Sequence, residues 1–135
     1  MTLPDDVRSL FEGANFVHLA VLLPSGAPVS IPIWAGVEDG RIVFFTQPQS
    51  RKAGMLARDP RVALSVVDHE SPYRSARVRG RVAETIDGEE ADAIVDRISH
   101  CYTGRPFPLR GSRVYVVEAE RASFTELPFR HEPAE

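Results

Sequence analysis

A hydroxyl, a short loop and two adjacent cations follow one another between Thr46 and Lys52. Ser50 stands where a helix would begin, directly before Arg51 and Lys52. Unpaired amides at a helix N-terminus, together with guanidinium and ammonium groups, suit the binding of a phosphate. The segment therefore predicts a phosphate-binding turn, although a serine that caps a helix ahead of solvated charges would give the same pattern.

A second cationic cluster lies in a β-rich stretch that contains Arg74, Arg77, Arg79 and Arg81. Residues two apart in a strand project from one face, so the last three form a row of guanidinium groups. Such a row can line a groove for phosphate or for a poly-acidic tail, and it can equally be a solvated face that guards a strand edge against aggregation. Both interpretations stay open, and Arg77 is the member of the row that we expect to bind a ligand.

The apolar run from Val29 to Trp34 is interrupted by Pro32 and ends in the only tryptophan of the chain. Proline cannot donate a hydrogen bond within a sheet, so Pro28 and Pro32 require a strand that lies partly at an edge or is broken by a bulge. An unpaired edge can offer backbone amides and carbonyls to a flat heterocycle, which Trp34 could cover. Packing in the core or against a partner subunit is the alternative role for Trp34.

The composition argues against several classes of function. The formal net charge of −3 does not suit a general nucleic-acid binder, which needs an excess of basic charge. The histidines are scattered along the chain, so we assign no metal, and no serine stands in a nucleophile elbow. The single cysteine, Cys101, forms no intrachain disulfide, and no apolar run approaches the length of a membrane span. We therefore expect a cytoplasmic protein that is neither exported nor embedded in a membrane.

Strands joined by tight turns must position these groups. Apolar β-rich runs and turn residues predict strands at 16–23, 27–37, 41–46, 61–67 and 73–85, with a last strand or pair of strands at 112–119 and 123–127. Helices are predicted at 4–13, at 50–58 and at 87–102, and a flexible tail at 128–135. The pattern predicts a single mainly β domain over residues 1–135, a small barrel of six antiparallel strands with two to three short helices.

Four short motifs together resemble the pyridoxamine 5′-phosphate oxidase family. They are Phe44-Phe45-Thr46, Ser50-Arg51-Lys52, Asp59-Pro60-Arg61-Val62 and, ahead of an acidic helix, Arg77-Val78-Arg79-Gly80. The resemblance runs from about residue 16 to about residue 99. It implies a split β-barrel of the FMN-binding type that forms a homodimer with its cofactor at the subunit interface.

The same resemblance implies which residues contact the cofactor. Arg51 and Lys52 would bind its phosphate, and the strand that ends at Trp34 would line its ring system. The full set implied in this way is Val29, Ser30, Ile31, Pro32, Trp34, Phe45, Thr46, Ser50, Arg51, Lys52, Ser75 and Arg77.

The resemblance is weaker where the vitamin-processing oxidases of the family bind their substrate. Their tyrosine position falls on Ile94, and Phe129-Arg130-His131 does not reproduce their basic C-terminal signature. We therefore do not expect pyridoxamine phosphate to be the substrate. The loop at 102–106 and a closing strand at 114–118 are more similar to the actinobacterial flavin/deazaflavin oxidoreductases, many of which use coenzyme F-420.

This branch of the family implies an oxidoreductase that transfers hydride between reduced F-420 and an unsaturated small molecule. F-420 ends in a phosphodiester and a glutamate tail, which would give the additional arginines a ligand. Two alternatives stay open: an FMN-dependent oxidase or reductase, and a non-catalytic carrier of a flavin or another small molecule. We nominate no catalytic acid or base, because the cofactor carries the redox chemistry and solvent can supply the proton.

Overall fold

One antiparallel sheet, curled into a half-barrel, contains all of the strands. The computed structural model describes residues 1–135. Its strands are β1 (Val17–Leu22), β2 (Pro28–Ile33), β3 (Ala35–Glu38), β4 (Arg41–Thr46), β5 (Arg61–Val67), β6 (Arg74–Ile86) and β7 (Arg113–Glu126). Its helices are α1 (Asp5–Glu12), α2 (Arg51–Arg58) and α3 (Gly88–Thr103). The strands follow the order β2-β1-β5-β6-β7-β4-β3 across the sheet.

The prediction of a mainly β fold with short helices is confirmed, but the number of strands is seven rather than six. The predicted strand at 27–37 divides at Trp34 into β2 and β3, which pair with different neighbours. β2 pairs with β1, and β3 pairs with β4. Local sequence favours strand on both sides of Trp34, so only the long-range pairing reveals the break. As Pro28 and Pro32 require, β2 is an edge strand.

The curl of the sheet follows from the position of β2 and β3. These strands are the two edges of the sheet, and Trp34 is the only residue between them in the chain. Adjacent Cα atoms are about 3.8 Å apart, so the two edges must meet at Trp34. The sheet cannot lie open and flat, and it therefore has a concave and a convex face.

The concave face encloses the larger of two apolar cores. Val17, Leu19 and Val21 of β1 are buried, whereas His18 is exposed. This alternation is expected for a strand with one face in the core and the other in solvent. α1 packs against β3, β5, β6 and β7 and buries Phe11 completely.

The convex face is covered on one half only. Ile94, Val95 and Ile98 of α3 pack against Val43 of β4 and Val116 of β7 in a second, smaller cluster. On the other half, formed by β2, β1, β5, β6 and the end of β7, every second residue is exposed or half-exposed. None of the three helices combines the length and the apolar character needed to cross a membrane.

β7 is one continuous strand with an extra residue at Glu120. Arg79 of β6 pairs with Arg121, whereas the next residue of β6, Gly80, pairs with Ala119. Glu120 therefore forms a β-bulge, and the strand exchanges its two faces at this point. Val117 and Ala119 contact the larger core before the bulge, and Ala122 contacts it afterwards.

Gly80 lies opposite this bulge and has no room for a side chain. A Cβ atom placed on Gly80 would collide with the carbonyl oxygen of Glu118 and stand 3.0 Å from the Cα of Ala119. We expect Gly80→Ala to lower the free energy of unfolding by about 3 kcal/mol, the upper part of the range for an overpacked site. Urea denaturation measures the change.

Gly54 in α2 provides the matched control, because nothing lies within 4 Å of a Cβ added there. Gly54→Ala should raise the free energy of unfolding by about 0.5–1 kcal/mol, since alanine loses less backbone entropy in a helix. Equal effects of the two substitutions would contradict the close approach of β6 and β7 at the bulge.

Candidate functional site

The uncovered half of the convex face carries a groove of about 520 Å³. Its floor consists of small side chains on β1 and β5, including Ala20, Ala63 and Ser65. Ser30 of β2 lines it on one side, and Arg77 of β6 lines it on the other. Because short side chains separate these two walls, a ligand can lie flat against the sheet between them.

Strand register brings the groove residues into two rows. Residues directly opposite each other on neighbouring strands project from the same face. The first row runs His18, Ser65, Arg77, Ser123, and the second runs Ser30, Ala20, Ala63, Arg79, Arg121. Arg121 and His18 were not predicted from the sequence, because only the pairing of distant strands shows that they line the groove.

The arginines of this face lack counterions. Arg77, Arg79 and Arg121 line the groove, take part in none of the ion pairs, and make no side-chain hydrogen bond. Arg74 on the same strand differs, since it lies 2.8 Å from a carboxylate oxygen of Asp68. The positive charge along the groove is therefore available to an anionic ligand. We call the side chains of Arg77, Arg79 and Arg121 the arginine row. Arg81 lies outside the groove and pairs across the sheet with Glu118, whose pKa is lowered by the N-terminal amino group and also by Arg81.

The predicted turn from Thr46 into α2 is formed. The Oγ of Ser50 accepts a hydrogen bond from the backbone amide of Ala53 at 3.1 Å, so the predicted serine cap of α2 is confirmed. The hydroxyls of Thr46 and Ser50 lie 2.9 Å apart. The side chain of Gln47 donates to the Oγ of Ser112 at 2.9 Å and ties the turn to the start of β7.

Lys52 is the only lysine of the chain and stands in the first turn of α2. Its ammonium group has no carboxylate partner, and burial lowers the pKa of Lys52 below its ordinary value. Removing a charged group from water without a counterion costs free energy. An anion bound next to Lys52 would offset part of this cost. The neighbouring Arg51 is exposed and also unpaired.

Trp34 and Phe45 belong to an aromatic cluster on the side of α3. The ring of Trp34 stacks on Tyr102 with centroids 5.1 Å apart. Phe107 meets Trp34 edge-on at 6.3 Å and Phe45 at 5.1 Å. The Tyr102 hydroxyl donates to the carbonyl of Asn15 at 2.6 Å and accepts from the amide of Ala35 at 3.3 Å. Tyr102 therefore holds the break between β2 and β3 in place, a role that its sequence position did not indicate.

The structure thus distributes most of the predicted cofactor-binding residues over three places. Ser30 and Arg77 face each other across the groove, and Ser75 lies two residues from Arg77 on the same face. Thr46, Ser50, Arg51 and Lys52 form the turn into α2, while Trp34 and Phe45 lie in the aromatic cluster.

The remaining predicted residues belong to the edge strand β2. Val29 and Ile31 are partly buried against the larger core, so their side chains point away from the groove. Pro32 is exposed and pairs with His18. A ligand beside β2 would therefore meet its backbone and the side chain of Ser30.

Comparison with known proteins gives a family match over most of the chain. The sequence model of the pyridoxamine 5′-phosphate oxidase family matches residues 3–126. A pyridoxine/pyridoxamine 5′-phosphate oxidase from Bacteroides thetaiotaomicron is 31% identical over 93% of this chain, which covers 61% of that protein. The chain spans about half the length of the curated relatives it matches.

Solved structures share the fold over nearly the whole chain. An F-420 reductase superposes with a TM-score of 0.77 and 26% identity, covering 90% of this chain and 98% of that one. A heme binding protein from Mycobacterium smegmatis has a TM-score of 0.67 and 21% identity, covering 96% of this chain and 57% of that one. The second similarity concerns the fold alone.

We expect the burial of Lys52 to make the free energy of unfolding depend on pH. Because the folded state lowers the pKa of Lys52, the unfolded chain binds more protons in the alkaline range, and stability rises with pH there. At neutral pH the full cost of burying the charge is present. We expect Lys52→Met to raise the free energy of unfolding at neutral pH, and this advantage to shrink as the pH rises through the lowered pKa of Lys52.

Urea denaturation over a pH series measures the effect, with Arg51→Met as the exposed control that should show no such trend. A difference between wild type and Lys52→Met that stays constant with pH would show that burial of the charge is not its cause.

Proposed function

This chain belongs to the pyridoxamine 5′-phosphate oxidase family, and from this premise we propose that it is an oxidoreductase that transfers hydride between reduced coenzyme F-420 and an unsaturated small molecule. The observation that carries the proposal is the set of cations without counterions, Lys52 at the start of α2 and the arginine row along the groove. A cofactor that ends in a phosphodiester and a glutamate tail supplies negative groups to both. The 26% identity to an F-420 reductase, over 98% of that chain, supports this cofactor over FMN.

The protein's own residues would bind and orient the cofactor. Lys52 and Arg51 would hold a phosphate oxygen by charge-assisted hydrogen bonds, and Thr46 would add a hydroxyl. Ser30 and the free backbone edge of β2 would meet the flat ring system, whose position then depends on the curl at Trp34. When bound, the reduced cofactor would supply the hydride, and the single proton that completes reduction of the acceptor would come from solvent.

The family name also supports a second cofactor. FMN ends in a single phosphate. The turn at Lys52 suffices to bind this phosphate, so FMN would not need the arginine row. An FMN-dependent oxidase or reductase is therefore the alternative within the same class. A carrier without turnover is the alternative from another class, and a heme binding protein with the same fold illustrates it.

We do not propose pyridoxamine phosphate as the substrate. The position at which the resemblance places the substrate-binding tyrosine is Ile94 here, and Ile94 is buried between α3 and the sheet. No polar side chain stands there to bind a phosphate. The chain also spans only part of the length of the oxidases that it matches.

We also propose that two copies of the chain form a homodimer through the uncovered convex face. This face carries exposed apolar side chains beside the groove, with Phe16 58% and Val67 46% exposed. A twofold axis would bring two arginine rows towards each other, and like charges repel across such an interface. An anionic cofactor between the subunits would relieve this repulsion and complete the site.

The cofactor proposal is tested by titrating purified protein with F-420 and with FMN side by side. We expect saturable binding of F-420 and weaker binding of FMN, measured by fluorescence or calorimetry. Protein that is yellow as purified, releases FMN and shows no affinity for F-420 would reverse this order. Tight binding without oxidation of the reduced cofactor by any of a panel of enones, quinones and tetrapyrroles would favour the carrier.

In the same titration, Lys52→Ala should weaken cofactor binding by about 1.5 to 3 kcal/mol, ten- to a hundredfold, the usual contribution of a charged hydrogen bond. Arg58→Ala is the matched control, because Arg58 is exposed and unpaired at the other end of α2. An unchanged dissociation constant for Lys52→Ala would remove this residue from the site.

The homodimer proposal predicts a twofold assembly whose stability depends on the cofactor. Sedimentation velocity at micromolar concentration should give a dimer, and added F-420 should lower its dissociation constant because the anion screens the two arginine rows. Arg79→Gln should strengthen association without cofactor and reduce the effect of F-420. A monomer under all of these conditions would contradict the proposal.

A further inference from the structure

A second concave site lies at the C-terminal end of α3, on the side of the aromatic cluster. It has a volume of about 720 Å³ and is lined by Trp34, Ser99, Thr103, Arg105, Pro106 and Phe107, among others. It shares no lining residue with the groove of the arginine row. We call it the Trp34 pocket.

The backbone of Arg105 is fixed at this pocket by two hydroxyls. Gly104 ends α3 in the left-handed conformation, with φ of 74°, and its amide donates to the carbonyl of His100. The Ser99 hydroxyl donates to the carbonyl of Arg105 at 2.8 Å, and the amide of Arg105 donates to the Thr103 hydroxyl at 3.1 Å. Ser99 is 2% exposed, so its bond to the carbonyl of Arg105 is partly shielded from water, whereas the bond between Arg105 and Thr103 is exposed. Together the two bonds fix the backbone from which the Arg105 side chain starts.

The guanidinium group of Arg105 has no counterion, although an acid lies in the same region. Asp96 binds Arg110, whose Nη1 lies 3.0 Å from a carboxylate oxygen, and this pairing lowers the pKa of Asp96. Asp96 also accepts the amide of Phe107 at 3.0 Å. Arg105 makes no ion pair and no side-chain hydrogen bond. Arg110 is thus paired with a carboxylate, whereas Arg105 on the same loop has no partner.

The apolar wall of the pocket is aromatic and contains Trp34 and Phe107, whose rings are nearly perpendicular. Tyr102 stacks on Trp34 with an angle of 10° between the rings, and Phe107 closes the cluster edge-on. Pro106 adds a rigid apolar surface on the rim. A flat ring can pack on such a wall, while a guanidinium group next to it binds a carboxylate by two parallel hydrogen bonds.

We propose that the Trp34 pocket binds a planar, conjugated molecule that carries a carboxylate, with the ring against Trp34 and Phe107 and the carboxylate on Arg105. Trp34 directly follows β2, the strand that we assign to the cofactor ring, so the bound molecule is placed to be the hydride acceptor. The assignment of the bound molecule as hydride acceptor rests on the proposed function, whereas the binding of a planar carboxylate does not require a cofactor.

The experiment uses the fact that the chain contains one tryptophan. The protein, labelled with ¹⁵N and free of cofactor, is titrated with 4-nitrobenzoate, and the single indole N–H resonance is followed. We expect a saturable shift for wild type and an affinity about tenfold lower for Arg105→Gln, the loss expected for one charged contact at an exposed site. Arg58→Gln, which changes another exposed and unpaired arginine, should bind like wild type. The neutral 4-nitrobenzyl alcohol should bind wild type about as weakly as 4-nitrobenzoate binds Arg105→Gln.

No shift of the indole resonance, or equal affinity of Arg105→Gln and wild type for 4-nitrobenzoate, would overturn the inference. Equal affinity of wild type for the acid and the alcohol would overturn it as well. Because the titration omits the cofactor, its failure is distinguishable from failure of the proposed function, which the F-420 titration tests separately. A positive result here and no F-420 binding would leave a planar-carboxylate site without the redox role.

Discussion

The single residue between β2 and β3 is the constraint on which the rest of the structure depends. These two strands are opposite edges of a seven-stranded sheet, so the peptide bonds around Trp34 force the edges together. Tyr102 stabilises the junction, because its hydroxyl bonds the carbonyl of Asn15 and the amide of Ala35 while its ring covers Trp34. The curl separates an enclosed apolar face from an outer face, and it places the free edge of β2 beside the groove.

The cations on this frame divide into those that pair with carboxylates and those that have no such partner. Arg74, Arg97 and Arg110 pair with carboxylates and hold strands, helices and loops together. The arginine row, the start of α2 and Arg105 lack such partners. Exposed ion pairs contribute little to stability, so the contrast matters more for ligands than for folding. In this acidic protein, these three places on different elements of the fold can each attract an anion; Arg58, which is also unpaired, lies outside them.

The sequence predicts those features that neighbouring residues determine. Ser50 caps α2 through its own local chemistry, and the apolar alternation of β1 marks its dry face, so both were predictable. The break at Trp34 was not, because strand-forming residues flank it on both sides and only pairing with β1 and β4 divides the segment. The same limit applies to the site. The cations at Arg51 and Lys52 are adjacent in sequence, whereas the contact of Trp34 with Phe107 depends on how α3 packs on the sheet.

The bulge at Glu120 shows that the number of residues in β7, as well as their type, determines which side chains lie on the outer face. Before Glu120 the odd-numbered residues of β7 point inward, and after it the even-numbered ones do. A chain lacking this one residue would keep every side chain that forms the groove and yet turn Arg121 and Ser123 towards the hydrophobic interior. Loss of a single codon would therefore exchange the two faces of the strand end, and a substitution scan that preserves length would never reveal this dependence.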